Sequence, residues 1–225
     1  MNRWLIENMS WSLSAEEAAS ILHVNEDDFE EFEDVYNAVM PLISPKIYFG
    51  RESIIENDGR NVLIGNTWFH SRILGVNLEN IKEVYPYIIT SGLEAYKHSE
   101  SYDDDLYKYW SHQICEIALK RATGAGFEDV KQILSKDNLA AMNPGSLSAW
   151  PISQQKPLFE LLGDVYEKTG VSLTPTFLMI PIKSGSGIWF ETKTHYANCM
   201  MCPRSDCRNR RAEFDPNMFK EKYGD

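Results

Sequence analysis

Three of the four cysteines in the 225-residue sequence fall within Asn198-Cys-Met-Met-Cys-Pro-Arg-Ser-Asp-Cys207. The spacing is Cys199-x2-Cys202-x4-Cys207. A Cys-x2-Cys turn sets two sulfurs on one side of a tight loop, where they can share a metal. Thiolates suit zinc and iron–sulfur clusters. A structural zinc wants four ligands, and a four-iron cluster usually takes four cysteines. A cluster with one iron open to substrate or solvent uses three, and Pro203 follows Cys202 as proline follows a ligand cysteine in bacterial ferredoxins. The reading is therefore a metal held by Cys199, Cys202 and Cys207: an iron–sulfur cluster first, of the four-iron type, and zinc as the alternative. His195 and Cys115 are the candidates for a fourth ligand. A metal-free redox pair, Cys199 with Cys202, is the third reading. Cys115 stands beside Ile114 and Ala118 in a helical pattern, where a small buried hydrophobe is the simpler account.

Two Gly-containing stretches are the next candidates to face a ligand. Asn143-Pro144-Gly145-Ser146 is a turn signal, and its glycine lets backbone approach a ligand closely. Lys183-Ser184-Gly185-Ser186-Gly187 offers a cation, two hydroxyls and flexible backbone between two expected strands, like an anion cradle without P-loop spacing. An ordinary polar hairpin loop explains it equally well. Trp150-Pro151 with Gln154-Gln155 is a candidate wall for a flat ligand or a plain loop and helix start. The histidines lack zinc-protease spacing, and the sequence has no nucleophile elbow and no dinucleotide fingerprint.

These pieces need a scaffold. Ser14-Ala-Glu-Glu17 is a capping box, predicting a helix to about His23. A second helix is expected from near Glu26 to Pro41. Asn57-Asp58-Gly59 predicts a hairpin inside residues 46–65. Residues 84–92 read as a buried strand, with Pro86 favouring an early or edge position. Residues 103–122 form the longest helix candidate, acidic at its start and basic at its end as the helix dipole favours. Residues 127–134 extend it or begin another helix. A further helix is expected over 153–168, ended by Gly170. Two strands, FLMIPI and GIWFET, follow. Runs of helices with antiparallel strands favour an α+β fold in one domain over 1–225, with 195–225 as a cysteine-rich, metal-binding C-terminal segment.

Composition limits the function. The hydrophobic share is 43% and the charged share 24%, ordinary for a globular chain. No apolar run approaches the roughly 20 residues of a membrane span, and the N-terminus lacks the apolar core of a signal peptide, so a cytoplasmic protein is expected. The net charge of −11 argues against nucleic-acid partners, which need a basic surface. Residues 25–34, NEDDFEEFED, are an acidic run, read as a solvated helix face before a docking surface for a basic partner. The tail after Cys202 is basic: an ordinary solvated end, or an offset to a thiolate-rich site.

The order MNPGSLSAWPISQQKPLFELLG, GVSLTPTFLMIPIKSGSGIWF, NCMMCPRSDCRNRRAEFD resembles the activation domain of cobalamin-dependent methionine synthase. It resembles more closely the stand-alone relatives associated with corrinoid methyltransferases in anaerobes. The resemblance implies a single α+β domain with a curved, mostly antiparallel sheet packed with helices. It implies an accessory role in corrinoid-dependent methyl transfer: binding a corrinoid protein or cobalamin and supporting the return of cob(II) to cob(I). A redox-active cluster would then supply the electron. In that family an Arg-x-x-Pro-Gly-Tyr type of segment helps bind S-adenosylmethionine. Pro144 and Gly145 match it, whereas Ala141 stands at the arginine position and Ser146 at the tyrosine position. Both losses count against S-adenosylmethionine. The rival readings are a non-catalytic corrinoid-binding module with structural zinc, and an S-adenosylmethionine-binding activation subunit.

Overall fold

The computed structural model describes residues 2–192, 196–207 and 210–223, without the side chains of residues 221 and 223. Strand β1 (Asn2–Ile6) leads into α1 (Ala15–Leu22), which starts at the predicted capping box. Ser14 Oγ accepts from Glu17 N at 3.2 Å, and Glu17 Oε2 accepts from Ser14 N at 3.0 Å. Helix α2 (Phe29–Val39) follows, burying Phe32, Val35 and Val39 and exposing its acids. Strands β2 (Lys46–Asn57), β3 (Asn61–Ile64) and β4 (Thr67–His70) form a meander, and β2–β3 is the expected hairpin.

Asp58 fixes that turn. Its carboxylate accepts from Asn61 Nδ2 (2.8 Å), Asn61 N (2.6 Å) and Arg60 N (2.8 Å). These bonds, led by the Asn61 side chain, lower its pKa to about 2. A lowered folded pKa means stability that is full above the ordinary value of 3.8 and lost as pH falls toward about 2. The variant Asp58→Asn should be less stable than wild type at neutral pH, and the gap should close across that acidic window. A gap that stays constant in denaturation at each pH would contradict this assignment.

Helix α3 (Arg72–Asn77) leads to β5 (Glu83–Thr90), α4 (Leu93–Glu100) and the long α5 (Asp105–Leu134). The 30 residues of α5 span about 45 Å, and Asp104 caps it, accepting from Leu106 N at 2.8 Å and Tyr107 N at 3.1 Å. Residues 127–134 thus continue the first helix. The short β6 (Leu139–Met142) follows, then α6 (Gln155–Leu162) and α7 (Val165–Thr169). The helix expected over 153–168 is broken, because Gly163 (φ 61°) and Asp164 (φ 50°) adopt positive φ. Gly170 does end α7. Strands β7 (Ser172–Leu173) and β8 (Met179–Ile180) form a small ribbon, followed by β9 (Ser184–Glu191) and α8 (Pro216–Tyr223).

Among the described residues, seven strands make one antiparallel sheet in the order β4-β3-β2-β5-β9-β6, with β1 on the free half-edge of β2. The chain is α+β, as expected. Two expectations are corrected. Strand β5 is central, not an edge: the ladder to β2 passes from the Phe49–Tyr87 pair to the Glu52–Val84 pair, skipping Pro86 and its missing N–H. The segment Lys183–Gly187 is not a loop, since β9 begins at Ser184 and pairs with β5 from Thr90 onward.

Period-two alternation sends β5 and β9 side chains to two cores. Val84, Ile188 and Phe190 pack with Ile73, Leu74, Leu158 and Leu161 on one face. Tyr85, Tyr87 and Trp189 pack with Ile47, Phe49 and Val130 beneath α5 on the other. No described helix is long and apolar enough to cross a membrane.

Candidate functional site

The face beneath α5 opens into a groove of about 510 Å³ at the β6 edge of the sheet. Its floor is aromatic. Tyr87 stacks on Trp189 with ring centroids 3.9 Å apart and planes 11° from parallel, and Phe127 approaches Trp189 at 5.4 Å. Ala141, paired with Trp189 across the β6–β9 ladder, leaves one wall low. Lys120 and Arg211 stand at the rim.

Two glycines of α5 near this face have different surroundings. A Cβ on Gly126 would lie 2.5 Å from Met9 Sδ, so the Met9 and Ile47 side chains pack directly against the helix there. A Cβ on Gly124 would meet nothing within 4 Å, and Gly124 lines the groove. Glycine inside a helix costs about 1 kcal/mol relative to alanine. Packing does not account for that cost at Gly124, which is exposed at the groove wall.

A polar network ties the groove to the surrounding loops. Asn143 Nδ2 donates to the Tyr87 hydroxyl (2.7 Å) and to the Ser186 carbonyl (2.7 Å). Its Oδ1 accepts from Asn198 Nδ2 at 3.3 Å. The Tyr196 hydroxyl donates to Asn198 Oδ1 (3.3 Å) and accepts from Asn77 Nδ2 (3.3 Å), and Asn77 Oδ1 accepts from Lys222 Nζ (2.8 Å). Burial pushes the Tyr87 hydroxyl up to about 12, partly offset by Asn143, so it stays protonated at neutral pH. Gly187 permits this closeness, since a Cβ there would lie 2.4 Å from the Met142 carbonyl and 2.6 Å from Asn143 Nδ2.

The Pro144–Ser146 turn sits at the end of β6. Gly145 has φ +82° and donates to the Trp150 carbonyl at 2.7 Å. Ser146 lines a second hollow, of about 350 Å³, together with Cys202, Pro203 and Leu147. Two of the stretches singled out in the sequence are thereby brought together. Trp150 is not a pocket wall: it is 1% exposed and packs in the core with Leu158 and Leu161. The donors of Lys183–Gly187 are engaged within the fold. Lys183 Nζ bonds Glu116 Oε2 at 2.7 Å, Ser184 Oγ donates to Thr90 Oγ1 at 2.9 Å, and Ser186 Oγ donates to Gln155 Oε1 at 3.2 Å. With Gly185 against Ile89, the segment is strand and not cradle.

Cys199, Cys202 and Cys207 are all partly exposed, and none of the four cysteines forms a disulfide. Cys199 Sγ accepts from Arg211 N at 3.3 Å. Burial raises the Cys199 pKa, but bonds from the Arg211 and Ala212 backbone and the Arg211 charge outweigh it and hold the thiol below its ordinary value. The donor chemistry suits a soft metal. The geometry does not: among the described residues, no three Cys, His, Asp or Glu side chains are gathered as a metal site. Cys115 is 1% exposed among Phe32, Val35 and Trp110, and burial pushes its thiol up to about 11. It is a core residue of the helical layer. His195 lies outside the described residues.

Several site residues escape sequence reasoning. Tyr87 and Trp189 carry only the alternation of their strands. Asn143 was visible only as the first residue of a turn signal, and Asn198 carries no local signal, because their partners are distant in sequence.

No family model matches the sequence, and no curated protein matches it. Among solved structures the fold is similar to that of the MetH reactivation domain bound to AdoHcy. The TM-score is 0.57 at 16% identity, covering 88% of this chain and 82% of that one. At that identity the similarity defines the fold class: an α+β domain built like a methionine synthase reactivation domain.

Proposed function

We propose that this protein is an accessory protein of corrinoid-dependent methyl transfer. It docks on a corrinoid protein or its cobalamin and supports the reductive return of cob(II) to cob(I). The carrying observation is the fold, shared over 88% of the chain with the MetH reactivation domain. The groove floored by Tyr87 and Trp189 supports the reading, because it offers a largely apolar, aromatic surface with two cations at its rim. The domain extends over 1–225, with 195–225 as its C-terminal cysteine segment.

The sequence favoured an iron–sulfur cluster on Cys199, Cys202 and Cys207, with zinc as the alternative. The described geometry does not gather those sulfurs, so the proposal routes no electron through them. The reducing equivalent comes from a separate low-potential donor, and this chain supplies binding and orientation. The neutral Tyr87 hydroxyl, held by Asn143, places one fixed hydrogen-bonding group at the groove floor.

A second reading follows from the ligand named with the similar structure. The groove takes an S-adenosylmethionine-type ligand, with the Trp189–Tyr87 pair as a stacking surface. Here Ala141 offers no charged contact. Calorimetry decides between the two: the first reading expects binding to a cob(II) corrinoid protein and none to S-adenosylmethionine at millimolar concentration. Binding to S-adenosylmethionine alone would reverse the order.

A further inference from the structure

Cys199 and Cys202 share one tight turn. Residues Asn198–Met201 form a 3-10 turn with Cys202 at its C-cap, and Cys202 N donates to the Cys199 carbonyl at 3.2 Å. A 3-10 turn rises about 2 Å per residue and sets side chains three apart on the same side. The two Cα atoms are therefore roughly 6 Å apart, inside the range of roughly 4.4–6.8 Å that a disulfide spans. The turn itself is anchored to the body. Met201 is 1% exposed within the core, Asp215 N donates to the Met200 carbonyl at 2.9 Å, and Asn198 Nδ2 donates to Asn143 Oδ1 at 3.3 Å.

Both cysteines are partly exposed. Cys202 also lines the hollow of about 350 Å³, where Arg72, Ser146 and Ser148 bring a cation and two hydroxyls beside the apolar Leu147 and Pro203. That volume lies at the small end of the roughly 300–1,000 Å³ of ligand pockets. The lining suits a small molecule with carboxylates on a short carbon frame, seated against the Cys202 thiol. Cys115 is buried in the helical layer, out of reach of such a ligand.

We infer that Cys199 and Cys202 are a redox-active dithiol that exchanges with small carboxylate-bearing disulfides, of the glutathione class. In the first step the Cys202 thiolate, its proton given to water, attacks one sulfur of the disulfide RSSR. The bond from Cys202 to that sulfur forms, the S–S bond of RSSR breaks, and one RS⁻ leaves and takes up a proton. In the second step the Cys199 thiolate attacks the Cys202 sulfur. The Cys199–Cys202 bond forms, and the second RS⁻ leaves and is protonated. The two cysteines together lose two electrons and two protons, and RSSR becomes two RSH. Closing the pair asks for rotation of two side chains on a turn that already sets them three residues apart. The inference lies beyond the corrinoid reading and uses no residue of the groove.

The test uses the full chain, reduced in the presence of a chelator, freed of reductant and mixed with oxidised glutathione. Free thiols are alkylated at intervals and the protein is mapped by mass spectrometry. Cys199 and Cys202 fall on one tryptic peptide, residues 194–204, and Cys207 on another, so the pairing is read directly in wild type without any variant. The expected result is a Cys199–Cys202 disulfide in wild type and in Cys207→Ser, with two glutathione thiols released per chain and no lasting adduct. Cys199→Ser should stop as a glutathione adduct on Cys202, and Cys202→Ser should react at least tenfold more slowly than wild type. Cystamine, a disulfide of similar reactivity that carries amines in place of carboxylates, should react at least tenfold more slowly than oxidised glutathione. A disulfide that includes Cys207, a lasting glutathione adduct on wild type, or Cys202→Ser reacting as fast as wild type would each overturn the dithiol. Equal rates with cystamine would overturn the ligand class.

Discussion

Gly124→Leu should yield a protein that is more stable than wild type and has lost its ligand. The two effects separate because they have different causes. Leucine in a helix interior is favoured over glycine by up to about 1 kcal/mol, through reduced backbone entropy in the unfolded chain. A Cβ at this position meets nothing, so the gain is not offset by a clash. Gly124 lines the groove together with Trp189 and Phe127, so the added side chain is expected to narrow it. Binding of a corrinoid protein should weaken at least tenfold, read by calorimetry, while the thermal midpoint rises. A variant that binds as wild type does would remove the groove from the account. The neighbouring Gly126→Leu is the control with the opposite sign: it drives a side chain into Met9 and Ile47 and should destabilise.

The second large effect concerns Asn143. Its amide nitrogen serves the Tyr87 hydroxyl and the Ser186 carbonyl, and its oxygen serves Asn198. Asn143→Leu keeps the volume and removes all three bonds. Each buried polar group left without a partner costs about 1–3 kcal/mol, so a loss of about 3 kcal/mol or more is expected in chemical denaturation. The loss should reach the cysteine loop, because Asn198 immediately precedes Cys199. Trypsin cleavage after Arg204 should accelerate under conditions where the rest of the chain is still folded. A change below about 0.5 kcal/mol, typical of surface substitutions, would mean that the network contributes little.

What the sequence disclosed follows the range of the interactions involved. The capping box at Ser14 and Glu17, the hairpin at Asn57–Gly59 and the dipole-matched start of α5 are local features, legible from a few neighbouring residues. Pro86 misled because a proline can sit in a central strand where the ladder skips its missing N–H. Lys183–Gly187 misled because glycine is ambiguous. Gly185 and Gly187 mark close approach of Ile89 and Met142 within the sheet, not a turn. The four residues of β6 were too few for a periodic signal, yet they form the edge on which the groove is built.

The site was partly visible. The Asn143–Ser146 turn was legible from its residue types, and its Ser146 shares a hollow with Cys202. The cysteine spacing showed that three thiols are near in sequence. It did not show that the described residues leave those three thiols ungathered as a metal site, with Cys199 Sγ accepting from Arg211 N. The aromatic floor joins β5 to β9, about a hundred residues later in the chain, and no short-range pattern encodes such a pairing. The similarity to a reactivation domain, read first from the order of sequence pieces, reappears as a shared fold.

The most direct measurement follows the absorption spectrum of a cob(II) corrinoid protein under anaerobic conditions with a low-potential chemical reductant, with and without this protein. The account predicts that the protein accelerates appearance of the cob(I) spectrum, and that Gly124→Leu, folded and more stable, does not. An unchanged rate of cob(I) formation at saturating protein would contradict the assignment to corrinoid reactivation.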